Sequence, residues 1–291
     1  MYSNIAANKR KTVYMFILFI VFVTALAWLF SLYLGNTMIT PYVMTGAGIY
    51  ALITYYAGAK MAIAVNGAKE IQKRDFPQYY RIVENLAITN GMPMPKVYVM
   101  DDPSPNAFAT GRDPKHAIVC ATTGLLEVMN KQELEGVMAH EMGHVKNFDI
   151  RVSMYAFALV SVVSLIADFI MHMLWFGGNN DRDRNPVVMV AGIVAMVIAP
   201  IAAGLIQSAI SRRREYLADA TGAMTTRHPE ALASALEKIG AFGSTLKKQN
   251  TSTAHLFFSN PLSKKSFMNM FSTHPPIEDR VRILRESVGK V

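Results

Sequence analysis

Two histidines four residues apart, with a glutamate directly after the first, are the residues of this sequence best suited to chemistry. They are His140, Glu141 and His144, in the stretch VMAHEMGHVKN. On a helix, positions i and i+4 share one face, so both histidines can direct a ring nitrogen to one metal ion. Glu141 is rotated by about 100° from His140 and therefore stands beside that ion. The pattern H-E-x-x-H is typical of zinc peptidases, in which zinc lowers the pKa of a water molecule and the glutamate takes its proton.

A catalytic zinc site needs a further ligand, because such sites usually have three protein ligands and one open position. A metzincin site would continue as H-x-x-G-x-x-H after the motif. Position 147 is asparagine and position 150 is isoleucine, so this class is excluded. The third ligand must therefore come from a more distant part of the chain.

The stretch RRREYLADA, residues 212–220, contains the best candidate for that ligand. Glu215 and Asp219 lie four apart on a predicted helix, so Glu215 can complete a His₂Glu zinc site. Asp219 is predicted to accept the other ring N–H of His140, as carboxylates behind metal-bound histidines do. His228 and His274 remain alternative third ligands, and an ordinary surface helix remains the alternative interpretation of the two acids.

The composition indicates a membrane protein. Of the 291 residues, 52% are hydrophobic, and the mean hydropathy is +0.22, both high for a soluble protein. The single cysteine, Cys120, excludes an intrachain disulfide. The net charge of +8 does not predict a nucleic-acid partner, because the charges cluster beside apolar runs, as juxtamembrane residues do.

Four apolar runs have the length that a bilayer core requires, about 20 residues each. We predict four transmembrane helices in two hairpins, over residues 13–34, 39–59, 152–176 and 187–210. The first pair is broken at GNTMITP and the second at GGNNDRDRNP. For His144 and Glu215 to bind one ion, the chain between them must cross the membrane an even number of times, and two crossings are predicted.

Lysine and arginine lie almost entirely on one side of these predicted spans, which places both termini and the extramembrane parts in the cytoplasm. The resulting division has five parts: a cytoplasmic tail (1–12), transmembrane hairpin 1 (13–59), the first catalytic part with the HExxH helix (60–151), transmembrane hairpin 2 (152–211) and the second catalytic part with the third ligand (212–291).

The combination of motifs resembles the HtpX family of membrane zinc metallopeptidases, which are gluzincins related to the CAAX-prenyl endopeptidases. The resemblance rests on HEMGH at 140–144, EYLAD at 215–219, NAFATG at 106–111 and STHPP at 272–276, and it extends over essentially the whole chain. It implies an α-helical membrane protein with an α+β zincin catalytic domain and one Zn²⁺ per chain. It further implies an inner-membrane protease that cleaves misfolded or damaged membrane proteins on the cytoplasmic side, in quality control and the stress response.

The resemblance also gives roles to weaker motifs. KVYVM (96–100), NAFATG and HAIVCA (116–121) are predicted strands, and an edge strand near the metal would pair with extended substrate. The residues implied for substrate binding are Asn106, Ala107, Phe108, Ala109 and Thr110. His274 or Arg280 is implied as a donor that stabilises the oxyanion, with a structural turn before the last helix as the alternative.

Two other functions are compatible with parts of the sequence. One is a four-helix membrane transporter or scaffold with a degenerate metal site, although the predicted spans carry a single acid. The other is a prenyl-protein processing peptidase, with the same chemistry and a narrower substrate. The expected partners of the favoured peptidase are unfolded and membrane-protein substrates and the lipid bilayer. Self-cleavage is also expected, at an exposed loop over residues 245–266 or near the termini.

Overall fold

The computed structural model describes most of the catalytic part of the chain. The described residues are 36–155, 212–242, 246, 247, 253, 256–259 and 275–288, with scattered positions between 10 and 31. Most of the predicted second hairpin, part of the first predicted span, and His274 lie outside them.

The first described helix, α1, runs from Ile39–Asn66 and ends at Gly67, whose φ of 70° closes it. It bends by 47° between its arms Thr40–Tyr50 and Leu52–Asn66. Only the two arms together have the length and hydropathy of a membrane span, and no unbent helix in the described residues meets that criterion. Thr24, in the predicted first span, places its Oγ1 2.9 Å from Sδ of Met44 in α1.

A four-stranded sheet follows α1, with the strand order β1-β2-β4-β3. The strands are β1 (Lys69–Glu70), β2 (Lys96–Met100), β3 (Ala107–Gly111) and β4 (Ala117–Thr122). β2 is parallel to β4, whereas β1 and β3 pair antiparallel with their neighbours. The three predicted strands therefore lie within two residues of their expected bounds, and β3 is at the edge of the sheet.

The H-E-x-x-H motif lies on α4 (Lys131–Lys146), which follows α2 (Pro77–Thr89) and the short α3 (Thr123–Val128). Asn130 starts α4 through a capping box with Glu133, whose carboxylate also accepts hydrogen bonds from Ser234 and Lys238 of a later helix. Two donors of the helix start are thereby satisfied, and α4 is anchored at its first turn. Nearly every residue from Glu133 to Val145 is buried, so α4 is the central helix of the domain.

Three helices from the second catalytic part pack around α4 and each other. They are α5 (Arg212–Thr226), α6 (Pro229–Phe242) and α7 (Ile277–Glu286). Helices α5 and α6 contact α4, and α7 packs on α5 and α6. A helix was expected over 212–220 and another after residue 275, and both are present. The two sequence segments thus share one hydrophobic core, with the sheet on another side of α4.

Helix α5 approaches the backbone of α4 closely at Gly222. A Cβ at this position would lie 3.0 Å from the backbone nitrogen of His140 and 3.3 Å from its Cα. Gly143, on α4, is less tight, since a Cβ there would lie 3.4 Å or more from Thr221 and Ala218. The spacing between the two metal-binding segments therefore depends on the missing side chain of Gly222.

We expect Gly222→Ala to destabilise the protein by about 1–3 kcal/mol, because helix backbone cannot yield to an added methyl group without strain. Gly143→Ala is the matched control. It adds the same group in ordinary contact and gains up to ~1 kcal/mol of helix propensity. Thermal unfolding of both metal-free variants in detergent measures the difference, and equal melting temperatures would contradict this account of the helix contact.

The expectation of an exposed loop over 245–266 is wrong for most of the described residues of that loop, whereas Lys247 is exposed as expected. Leu246, Leu256 and Phe257 are buried in a cluster with Phe108 of β3 and Cys120 of β4. The reason is composition, since apolar side chains in a loop fill the space beside the sheet. We therefore do not expect self-cleavage at these buried positions in the folded protein.

Candidate metal centre

The side chains of His140, His144 and Glu215 converge, so that one ligand atom from each lies within 4.8 Å of the others. The two histidine Nε2 atoms are 3.1 Å apart. The carboxylate of Glu215 lies 3.7 Å from Nε2 of His140 and 3.5 Å from Nε2 of His144. Helix α4 supplies two of the ligands one turn apart, and α5 supplies the third from across the helix contact.

This arrangement fits zinc. Bond lengths of about 2.0–2.1 Å and tetrahedral angles require ligand atoms roughly 3.3 Å apart, and the three separations bracket that value. The donor set of two imidazoles and one carboxylate is that of zinc sites which retain an open position for catalysis.

His140 is held from behind by Asp219 and Arg280. Its Nδ1 lies 2.8 Å from Oδ1 of Asp219. Arg280 donates to both oxygens of Asp219, through Nε at 2.8 Å and Nη2 at 2.7 Å. A planar guanidinium bound in this bidentate way fixes the carboxylate. The carboxylate in turn fixes the ring of His140 with Nε2 towards the other ligands.

Contacts among these buried side chains raise the pKa of His140 and lower the pKa of Asp219. Burial alone would lower the pKa of His140, but hydrogen bonds with Asp219 and Glu215 outweigh it and raise the pKa to about 9. Burial would raise the pKa of Asp219, yet the charge of Arg280 and its hydrogen bonds lower it to about 2. The upward direction of this shift favours the protonated form of metal-free His140, and metal binding would release that proton.

His144 has a partner of its own in Asp149. The distance from its Nδ1 to Oδ2 of Asp149 is 3.1 Å. Helix α4 has ended by this point, and Phe148 adopts a left-handed conformation with φ of 60°. That turn carries the chain back so that Asp149, which is 3% exposed, stands behind the histidine. Both histidines thus present Nε2 to the same point.

Glu141 is 2% exposed and shares a pocket with His144, Glu215 and Arg214. Burial raises its pKa, against the opposing influence of the two histidines. The rest of the pocket wall combines the polar side chains of Asp149 and Ser153 with apolar residues, including Ala109 of β3, Ile150 and Phe258. The glutamate therefore stands beside the ligands in a cleft with one polar and one apolar side, and the apolar side reaches the edge strand.

The open edge of β3 lies along this cleft. Alternate residues of an antiparallel strand turn their backbone groups away from the partner strand. Because Thr122 of β4 donates to the carbonyl of Asn106, the backbone groups of Ala107, Ala109 and Gly111 face the open edge. The carbonyl of Ala107 accepts a hydrogen bond from the N–H of Phe258 at 2.7 Å.

The predicted substrate-binding residues therefore differ in what they can contact. The side-chain amide of Asn106 donates to the carbonyl of Ser259 and accepts from its N–H. Asn106 and Ala107 thus hold the chain's own segment 256–259 against the strand. Phe108 and Thr110 direct their backbone groups to β4. Phe108 and Phe257 form an isolated antiparallel bridge, so the segment 256–258 also runs along the outer edge of β3 beside Ala109.

The remaining predicted residues are placed as follows. Arg280 is 1% exposed. Two of its nitrogens donate to Asp219, and its Nη1 lies 4.0 Å from Oε2 of Glu215, so its role at the oxyanion stays a prediction. His228 is exposed between α5 and α6 and is not part of the ligand group.

Two residues beside the site were missed in the sequence. Phe258 packs edge-to-face on the ring of His140, with centroids 4.9 Å apart, and lies under the guanidinium of Arg280. Nothing in its local sequence indicates this position. Asp149 had a weak signal, since an acid shortly after a metal-binding helix can fold back on it.

Comparison with known proteins agrees with this geometry. The family model for peptidase family M48 matches residues 73–288, which include both metal-binding segments and Arg280. The chain belongs to peptidase family M48. The HtpX resemblance of its motifs is confirmed by full-length M48 relatives. A protease HtpX homolog of Tropheryma whipplei (strain Twist) is 50% identical over 286 residues, which are 98% of each chain. Another, of Lactobacillus helveticus, is 43% identical over 299 residues, which are 98% of this chain and 99% of the relative.

A solved M48-like structure supports the fold. The crystal structure of S. mikatae Ste24p superimposes with a TM-score of 0.52 at 18% sequence identity. The match covers 91% of this chain, which spans only 62% of that structure. The M48 chain described here is a metalloprotease of mixed helix and sheet. Its zinc-dependent family and HtpX relatives support the expected metal and a membrane location.

Proposed function

We propose that this M48 chain is an integral membrane endopeptidase that binds one Zn²⁺ through His140, His144 and Glu215. In this proposal it cleaves misfolded or damaged membrane proteins on the cytoplasmic side, as part of quality control and the stress response. The convergence of the three ligand atoms next to Glu141 is the observation that carries the proposal, because the same three residue types define a hydrolytic zinc site.

Bound zinc supplies Lewis-acid chemistry, which polarises the scissile carbonyl and acidifies water. Glu141 is the residue of this chain that takes the proton from the attacking water. Its buried position keeps the carboxylate close to the reaction without making it a ligand. The same carboxyl group then delivers the proton to the departing amine, so it acts as base and acid in turn.

Substrate binding is assigned to the outer edge of β3, next to the segment 256–258 that already pairs with Ala107 and Phe108. An extended peptide adds to a sheet edge through backbone hydrogen bonds, which are largely independent of its side chains. The outward N–H and carbonyl of Ala109 lie beside the pocket that contains Glu141. A requirement for extended backbone selects unfolded segments over folded ones, which suits a quality-control protease.

The membrane part of the proposal is supported by the surface of α1 and the residues before it. Large apolar side chains there are exposed, among them Trp28 at 56%, Tyr42 at 76% and Leu52 at 62%. Lipid would cover such a surface at low cost, whereas water would not. The distribution of lysine and arginine supports the cytoplasmic side for the catalytic part and both termini.

The proposal is tested with the full chain in lipid vesicles, with a membrane-anchored substrate carrying an unfolded segment. We expect cleavage when that segment is on the same side as the catalytic part, abolition by a zinc chelator, and recovery on adding zinc. The matched control is the same substrate with a folded domain in place of the segment. Equal cleavage of both forms would contradict the edge-strand selection, and chelator-resistant cleavage would contradict the zinc mechanism.

A further inference from the structure

The supports behind the two metal-binding histidines follow one pattern. Behind His140, Asp219 contacts Nδ1 and is itself bound by Arg280. Behind His144, Asp149 contacts Nδ1 through Oδ2 at 3.1 Å, and its Oδ1 lies 3.6 Å from Nη1 of Arg214. Each histidine is thus contacted by an aspartate, and each of these aspartates is contacted by an arginine.

The second of these supports is buried and specific. The side chains of Asp149 and Arg214 are 4% and 8% exposed. Among the described residues, no hydrogen-bond partner lies within reach of the guanidinium nitrogens of Arg214. Asp149 is the ion-pair partner of Arg214 in the part of the chain that the structure describes, and a buried charge needs a partner of opposite sign. The pair is therefore built into the site.

We propose that Asp149, held by Arg214, is a positioning residue that fixes the ring of His144 for zinc. Asp149 accepts the Nδ1 proton, so the neutral imidazole keeps Nε2 unprotonated and directed at the metal. The left-handed turn at Phe148 brings the carboxylate to this place. The inference rests on the zinc site of the proposed function.

The arrangement gives α5 control over all three ligands. Helix α5 carries Glu215, the third ligand, and Asp219, which orients His140. The residue before Glu215 is Arg214, which holds the carboxylate that orients His144. Any displacement of α5 therefore disturbs the donors on α4 as well as its own ligand.

The test measures zinc affinity of the full chain in detergent, by competition with a chromogenic chelator, in a Glu141→Gln background that prevents self-digestion. We expect Asp149→Ala to weaken zinc binding by about 10- to 100-fold, the range for removal of such a partner. Asp149→Asn should lose less, since its amide oxygen still accepts the Nδ1 proton. Glu127→Ala, an exposed acid on α3, is the control and should bind zinc as the parent does.

Two further readouts separate positioning from a merely structural role. Co²⁺ in place of zinc should give altered visible absorption bands in Asp149→Ala, because ligand geometry changes, and bands close to those of the parent in Asp149→Asn. Melting of the metal-free protein reports folding alone. A lowered melting temperature with unchanged zinc affinity and Co²⁺ bands in Asp149→Ala would overturn the proposal.

The role of Arg214 is tested by combination. Arg214→Met should weaken zinc binding when Asp149 is present and have less than about a twofold effect in the Asp149→Ala chain, since coupled residues are not additive. Equal effects in both chains would remove Arg214 from the proposal. A parent chain that binds no zinc would overturn the proposed function itself. Failure of the zinc site is thereby distinguished from failure of the positioning role of Asp149 and Arg214.

Discussion

Replacing Glu141 with glutamine should leave zinc binding intact and slow peptide hydrolysis by about 10²- to 10⁴-fold, the contribution of a positioned proton-transfer group. Glutamine has nearly the same shape and fills the same buried place beside the ligands. It cannot take a proton from water. The measurement is cleavage of casein or a membrane-anchored substrate, with metal content determined on the same preparation.

The control for Glu141→Gln is the Glu127→Ala chain, which changes an acid on the exposed side of α3. It should cleave at the parent rate with the same metal content. Hydrolysis by Glu141→Gln within about threefold of the parent, at full zinc occupancy, would exclude Glu141 as the general base, since that role contributes far more.

Glu215→Ala should remove zinc and activity together. Loss of a residue behind a ligand costs 10–100-fold in metal affinity, and we expect loss of a direct ligand to cost more than ~100-fold. The two histidines would remain on α4, but two imidazoles alone leave the ion without its carboxylate. Metal analysis after dialysis, with cleavage in parallel, measures both effects.

The result for Glu215→Ala also decides between the alternative third ligands. Retained zinc and activity would contradict the assignment and move it to His274, because His228 is exposed between two helices. Glu215→Asp is the informative second variant. It keeps the carboxylate but shortens its reach, so it should bind zinc more weakly than the parent and better than alanine.

Much of the site could be predicted from local sequence. The i, i+4 spacing of His140 and His144 is a property of the helix and needs no tertiary information. Glu215 and Asp219 have the same i, i+4 spacing. Two membrane crossings are predicted between them and the motif, and an even number of crossings returns the chain to the same side of the membrane. Recognition of the family strengthened both inferences.

The rest depends on contacts between distant segments, which leave little trace in the sequence. The oxyanion role of Arg280 stays a prediction, but its contacts with Asp219, Glu215 and Phe258 join distant segments that the sequence does not reveal. The loop over 245–266 is predicted to be exposed. Its described apolar residues, Leu246, Leu256, Phe257 and Phe258, are buried, because apolar side chains are removed from water on folding. Asp149 reaches His144 only through the unusual backbone at Phe148.

The long-range contact between α7 and α5 has a consequence for the biogenesis of the enzyme. Arg280 is 61 residues beyond Asp219 and 140 beyond His140, and it secures both. A ribosome that has made the H-E-x-x-H helix has therefore produced neither the third ligand nor the arginine that locks its support. We therefore expect little protease activity from the nascent chain before α5 and α7 have emerged and docked. The order of synthesis would then protect the chain itself and its neighbours in the membrane.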